Sequence, residues 1–194
     1  KVTNKRVKKS LTLKQLAQDK QLSEAFLKEL GISQKGNAIQ ITYSLEDASL
    51  ASRQRLRTAL KAGEGSLWEK GKGNPVLYGL WKLNDARATK TLVLVEGESD
   101  CWTLWFHGFS ALGFPGADMA GKLEAQHLKE IQTLFILNEK DKGGQSFISG
   151  LTKRLKEINW HGNAFIVTLP DGIKDPNDLH KAFPQDFKKL FHKA

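Results

Sequence analysis

The sequence predicts an α/β fold in which a parallel sheet flanked by helices follows a smaller, strongly basic α+β segment. Three observations predict it. From residue 91 onward, short apolar runs alternate with segments of helical length, and strands separated by helices run parallel. Before that point, helical and strand patterns mix without such a rhythm. The charge divides at the same place. Residues 1–90 carry 18 Lys+Arg against 8 Asp+Glu, a balance of +10, and residues 91–194 carry 12 against 13, a balance of −1. The net +9 of the 194-residue chain therefore lies wholly in its first half, which matches a polyanionic partner. No apolar run approaches the roughly 18 residues of a membrane span, and no hydrophobic signal core follows the basic opening. Cys101 is the only cysteine, which rules out an internal disulfide or a multi-thiolate zinc site, so a reducing cytoplasm is the expected compartment. With Lys1 in place of an initiator methionine, a segment of a longer protein is expected.

In chain order, KVTNKRVKKS (1–10) is predicted as a basic linker. LTLKQLAQDKQ (11–21) and LSEAFLKELGI (22–32) place leucines and a phenylalanine at helical spacing, with Thr12 and Ser23 as caps and Gly31 as a stop. After the turn signal KGN, AIQITY (38–43) alternates Ile39, Ile41 and Tyr43 with polar residues, as on a half-buried strand. The stretch 48–62 fits two patterns, with Leu50, Leu56 and Leu60 on one helix face, or Arg53, Arg55 and Arg57 alternating as on a strand. In GEGSLWEKGKGNP (63–75), five residues separate Gly65 from Gly71, and Gly73 follows Lys72. That is not the spacing of a P-loop, and a hairpin or loop around Trp68 is expected. The second half then reads strand TLVLVEG (91–97), helix ESDCWTLWFHG (98–108), strand FSALGFPG (109–116) and helix AGKLEAQHLKEIQ (120–132). Strand TLFILNEKD (133–141), helix GGQSFISGLTKRLKEIN (143–159) and strand NAFIVTLP (163–170) follow, and Asp175 with Pro176 reads as a helix start.

The acidic residues fall at strand ends. Glu96 closes the first strand of this half, Asp100 lies one helical turn beyond it, and Glu139 with Asp141 closes the third strand. Residues two apart on a strand share a face, so Glu139 and Asp141 are expected to point into one crevice. If the first and third strands are neighbours, three or four carboxylates meet at the carboxyl ends, where parallel sheets hold their chemistry. Such a cluster repels itself unless neutralised, and a hard divalent cation is the economical solution, with phosphates as its remaining ligands. A single carboxylate after a strand is commonly a helix cap, so it is the joint pattern that points to a site. Gly143 and Gly144 open the next helix, where free N–H groups suit a phosphate; a plain strand-to-helix turn explains them equally well.

VEGESD, GFSALGFPGA, FILNEKDKGG and KDPNDL resemble the successive motifs of a TOPRIM domain, the module shared by topoisomerases and DnaG-type primases, over residues 90–183. Upstream, GNAIQITYSLEDA, the Arg53–Arg57 stretch and above all NPVLYGLWKLNDA resemble the basal part of the primase RNA-polymerase domain. The LYGL element favours primase, of the phage or mobile-element kind. The resemblance implies a Rossmann-like TOPRIM sheet at 90–183, an α+β primase subdomain at 11–89 and a C-terminal helix or tail at 184–194. It implies Glu96 as general acid/base or additional metal ligand, Asp100 as its acidic companion, and Glu139 with Asp141 as the Asp-x-Asp pair that holds Mg2+ or Mn2+. Glu139 departs from that pattern by one methylene. It also implies a strand at 53–57 whose Arg53, Arg55 and Arg57 project from one face toward a template or triphosphate. The implied partners are single-stranded DNA, ribonucleoside triphosphates and a replicative helicase, and the implied activity is primer synthesis, with a zinc module outside this chain. A TOPRIM nuclease would carry nearly the same metal site, and a non-catalytic nucleic-acid-binding module is the third reading. A topoisomerase needs a nucleophilic tyrosine, and this chain offers only Tyr43 and Tyr78.

Overall fold

The computed structural model describes residues 10–194, so the expected basic linker lies, Ser10 aside, outside the described residues. The chain forms two compact units. The first holds the described residues through Thr42 together with Ser52–Gly73. Helices α1 (Leu13–Lys20) and α2 (Glu24–Glu29) start where their caps predict: the Thr12 side chain accepts from the Gln15 N–H in a full capping box, and the Ser23 side chain accepts from the Phe26 N–H. Gly31, at φ +77°, ends the second helix. Strands β1 (Ile32–Lys35), β2 (Ala38–Ile41), β3 (Arg55–Arg57) and β4 (Ser66–Trp68) form an antiparallel sheet in that order, with the short α3 (Ala62–Gly65) before β4. β1 corrects the sequence reading, which ended the second helix at Gly31 and placed no strand before residue 38. Only Ile32 of β1 is buried, so four residues carry too little alternation to be recognised.

The arginine expectation is corrected as well. The strand begins at Arg55, not Arg53. Arg57 pairs with Ile39 and Arg55 with Ile41, and residues directly opposite share a face. Ile39 and Ile41 are fully buried, so both arginines stand on the core side of the sheet. Arg57 is 2% exposed and gives its guanidinium to the carbonyls of Ala59 and Leu60. Arg55 lies 5.0 Å from the centre of the Trp68 ring, and Arg53 donates to the Glu69 carbonyl.

The second unit holds Tyr43–Ala51 and Asn74–Ala194, so the division falls at residue 74 rather than at the expected 89/90. Packing explains the difference. Leu77, Leu80 and Leu83, around a 3₁₀ turn at Leu80–Lys82 and the start of α4 (Leu83–Thr89), belong to the same apolar cluster as the following strands. Tyr78 exchanges two 2.8 Å backbone hydrogen bonds with Gly113. Its ring packs against Tyr43, Trp81 and Trp105, and its hydroxyl accepts from Trp102 Nε1 at 2.9 Å. Gly79 adopts φ +101°, and a Cβ there would sit 2.8 Å from the Trp105 ring, so LYGL needs its glycine.

The expected parallel sheet is present. Strands β5 (Thr91–Glu96), β6 (Ala111–Phe114), β7 (Thr133–Leu137) and β8 (Asn163–Val167) lie in the order β6-β5-β7-β8, every pair parallel. The connecting helices are α5 (Glu98–Phe106) between β5 and β6, and α6 (Lys142–Glu157) between β7 and β8; α7 (Pro176–Ala182) and α8 (Phe187–Phe191) follow. Leu92, Leu94, Leu134 and Ile136 join Phe147, Leu151 and Leu155 of α6 in one core. The helix expected at 120–132 is instead two 3₁₀ stretches, Ala117–Lys122 and Ala125–Leu128. Tertiary bonds override helical spacing there: Arg154 Nε takes the Leu123 carbonyl at 2.6 Å, and Glu124 with His127 closes a capping box between the stretches. No helix among the described residues is long and apolar enough to cross a membrane.

Candidate active site

In this sheet β5 is the first strand in sequence but lies inside, with the chain stepping outward to β6 and then back across to β7. The carboxyl ends of β5 and β7 therefore flank a point where strand order reverses, the usual position of a crevice in open α/β sheets. Glu96 is the last residue of β5. Glu139 and Asp141 lie past the end of β7, in the turn to α6, which corrects their expected place on the strand. Asp141 is the N-cap of α6, and its Oδ1 accepts from the Gly144 N–H at 3.0 Å. The Asp141 N–H in turn donates to the Glu139 carbonyl at 2.8 Å, which folds the two acids back on each other.

Gly144 is what permits this turn. A Cβ on Gly144 would lie 2.0 Å from the Glu139 carbonyl oxygen, so no side chain fits. A Cβ on Gly143 would lie 3.1 Å from Asp141 Oδ1 and 3.8 Å from Glu96 Oε2, which shows how closely the helix start approaches both carboxylates. The Gly144 N–H is directed at Asp141, so of the two sequence readings the strand-to-helix turn describes this conformation.

The electrostatics are those of a crowded anionic pocket. Burial first, then the charges of Glu139 and Asp141, raise the Glu96 pKa to about 7, against a lowering effect of Lys174. Glu139 is also raised, chiefly by burial, and the Lys174 charge opposes the shift. Asp141 is lowered, first by its bond from the Gly144 N–H. Lys174 is the residue sequence reasoning missed. Its ammonium lies 3.3 Å from Glu139 Oε2 and 3.4 Å from Asp141 Oδ2, and the Glu139 carboxylate holds it above the ordinary lysine range. It precedes Asp175, which caps α7 through the Asp178 N–H at 2.8 Å as predicted, and whose charge also acts on Glu139.

Asp100 sits in the first turn of α5, 4% exposed, and the carboxylates acting on Glu96 are Glu139 and Asp141. Glu98, not singled out from sequence, is buried in the same turn and accepts from the Tyr43 hydroxyl at 2.6 Å. As donors, Glu96, Glu139 and Asp141 suit a hard divalent cation in kind, being all oxygen and mutually repelling. In position, no three His, Cys, Asp or Glu side chains among the described residues gather as an ion site, and the Lys174 ammonium bridges Glu139 and Asp141. The arrangement holds the Lys174 ammonium and offers, in Glu96, a carboxyl whose pKa is raised to about 7.

No family model and no curated protein sequence matches the chain. Solved structures do. A DnaG catalytic core superposes with a TM-score of 0.73 at 15% identity, over 93% of this chain and 72% of that one. A DnaG primase catalytic domain bound to single-stranded DNA gives 0.70 at 14% identity, over 93% and 70%. The E. coli primase catalytic core gives 0.69 at 15% identity, over 93% and 72%.

Proposed function

We propose, from the premise that this fold is that of the DnaG-type primase catalytic core, that the chain joins ribonucleotides into short RNA primers on single-stranded DNA. The observation that carries this reading is that Glu96, Glu139 and Asp141 stand at or just past the ends of adjacent strands in that fold, where the charges of Glu139 and Asp141 help raise the Glu96 pKa. In the proposed reaction the 3′-hydroxyl of one nucleotide attacks the α-phosphorus of an incoming ribonucleoside triphosphate. The new O–P bond forms as the bond to pyrophosphate breaks, and the hydroxyl proton leaves to a base. Glu96, with its pKa near 7, takes that proton at neutral pH. Glu139 and Asp141, with Glu96 as an additional ligand only where it does not serve as the base, would hold Mg2+ or Mn2+, which when bound supplies Lewis-acid activation of the hydroxyl and stabilisation of the leaving pyrophosphate. Positioning and charge carry most of such a rate, so no covalent nucleophile is needed. Cys101, wholly buried in α5, is accordingly a packing residue.

The test is incubation of the chain with single-stranded DNA, the four ribonucleoside triphosphates and Mg2+ or Mn2+. Short RNA products support the reading. Nicking or degradation of the DNA without RNA synthesis favours the nuclease, and binding without either product favours a non-catalytic module.

A further inference from the structure

The Glu139–Asp141 pair has a cation of its own. Lys174 Nζ bridges the two carboxylates at 3.3 and 3.4 Å, from a loop 33 residues downstream of Asp141. The side chain of Lys174 is 58% exposed, while those of Glu139 and Asp141 are 14% and 48% exposed. The other lysine of the turn, Lys140, is drawn off by Asp171 at 2.5 Å, which leaves Lys174 as the ammonium bridging the pair among the described residues. The turn bearing Lys174 is fixed on both sides, by the Ile173 N–H to Pro170 carbonyl bond before it and by the Asp175 cap after it. The ammonium is thus delivered to this place by the fold, but on a flexible, solvated stem. Exposed ion pairs of that kind are weak and readily exchanged. A divalent cation that took the two carboxylates as ligands would need the same oxygens and would meet a positive charge already there.

We infer that Lys174 is a built-in counter-ion, holding Glu139 and Asp141 together in place of a divalent cation and displaced when one binds, so that it sets the metal concentration at which the site fills. This rests on the reading of the pair as metal ligands. Without its ammonium, the pocket lacks the charge that offsets three adjacent acids, so the metal-free protein loses stability while the cation meets less competition. Removing an ordinary hydrogen-bonding residue would lower stability without tightening metal binding, and that opposite movement is the mark of a counter-ion.

The test compares the chain with its Lys174→Met, Lys174→Gln and Lys174→Arg variants by Mn2+ titration calorimetry and by Tm in EDTA. Lys174→Met and Lys174→Gln should bind Mn2+ about threefold to tenfold more tightly, the scale of two half-exposed ion pairs. Their Tm in EDTA should fall by about 2–4 °C. Lys174→Arg, which keeps the charge, should stay near wild type in both. Mn2+ affinity unchanged or weaker in the two neutral variants overturns the inference, as does absence of Mn2+ binding in every protein. If the affinities shift as expected and the wild type makes no primers, the primase reading fails and the counter-ion stands.

Discussion

The Tyr43 hydroxyl donates a 2.6 Å hydrogen bond to Glu98 Oε1, joining a residue just after the β1–β2 hairpin to the first turn of α5, two residues past Glu96. Both partners are buried, so the bond ties down the turn that aims Glu96 into the crevice. Tyr43→Phe keeps the ring packing against Tyr78 and removes only the donor. It should cost about 1–3 kcal/mol, the range for a buried hydrogen bond to an acidic group, read as a lower denaturant midpoint.

Gly144→Ala should be the more damaging of the two glycine substitutions. Its Cβ meets the Glu139 carbonyl oxygen at 2.0 Å, whereas that of Gly143→Ala meets Asp141 Oδ1 at 3.1 Å, the end of a side chain that can give. An overpacked backbone costs about 1–3 kcal/mol, and the displaced turn carries both Glu139 and Asp141. Thermal unfolding and Mn2+ binding should both suffer in Gly144→Ala, with smaller effects in Gly143→Ala.

Arg57 should behave as a structural arginine. It is buried, shares a sheet face with Ile39 and caps the carbonyls of Ala59 and Leu60. Arg57→Met should cost about 2 kcal/mol through the stranded carbonyls. The slope of log affinity for single-stranded DNA against log salt should stay unchanged, because a residue that contacts no phosphate releases no counter-ion. A slope smaller by about one unit would return Arg57 to the binding surface.

A pH effect on stability should come from His107. Its Nε2 lies 3.0 Å from His180 Nδ1, its ring stacks on Phe187 at 3.8 Å, and burial, then His180 and Lys188, lower its pKa to about 4. Between about 4 and the ordinary histidine value of 6.5 the unfolded chain binds a proton that the folded chain does not, so stability rises with pH there. The contribution is fully present above pH 6.5 and is lost as pH falls toward 4. With partial solvent screening this amounts to about 1 kcal/mol at pH 5. His107→Phe should flatten the Tm-versus-pH curve over that interval.

Much of this architecture is legible in the residues themselves, because each legible feature is local. The apolar run 91–96 is buried on both faces and 133–137 on one face fully and on the other in part, and both emerge as the central strands. Thr12, Ser23 and Asp175 cap helices through their own side chains. The acids Glu96, Glu139 and Asp141 were visible because a strand end is a position in the sequence as well as in space. What was not legible depends on partners remote in the chain. Ala120, Leu123, Leu128 and Ile131 are buried in one core with α6, and their spacing alone mimics a helix, but only Ala120 and Leu128 of the four lie within the two 3₁₀ stretches. The alternation of Arg53, Arg55 and Arg57 is real, but which face it presents is decided by pairing with Ile39 and Ile41. Lys174 lies in a loop with no periodicity, and only the approach of that loop to the β7 turn gives it a role.

The measurement that tests the central claim most directly is RNA primer synthesis on single-stranded DNA with Mn2+, comparing wild type with Glu96→Gln and Asp141→Asn. Both substitutions are near-isosteric, and circular dichroism and Tm would verify that each variant folds. The account predicts primers from the wild type and a loss of about 10²-fold or more in each variant, the scale of a positioned acid or base. Primer synthesis that persists undiminished in both variants would contradict it.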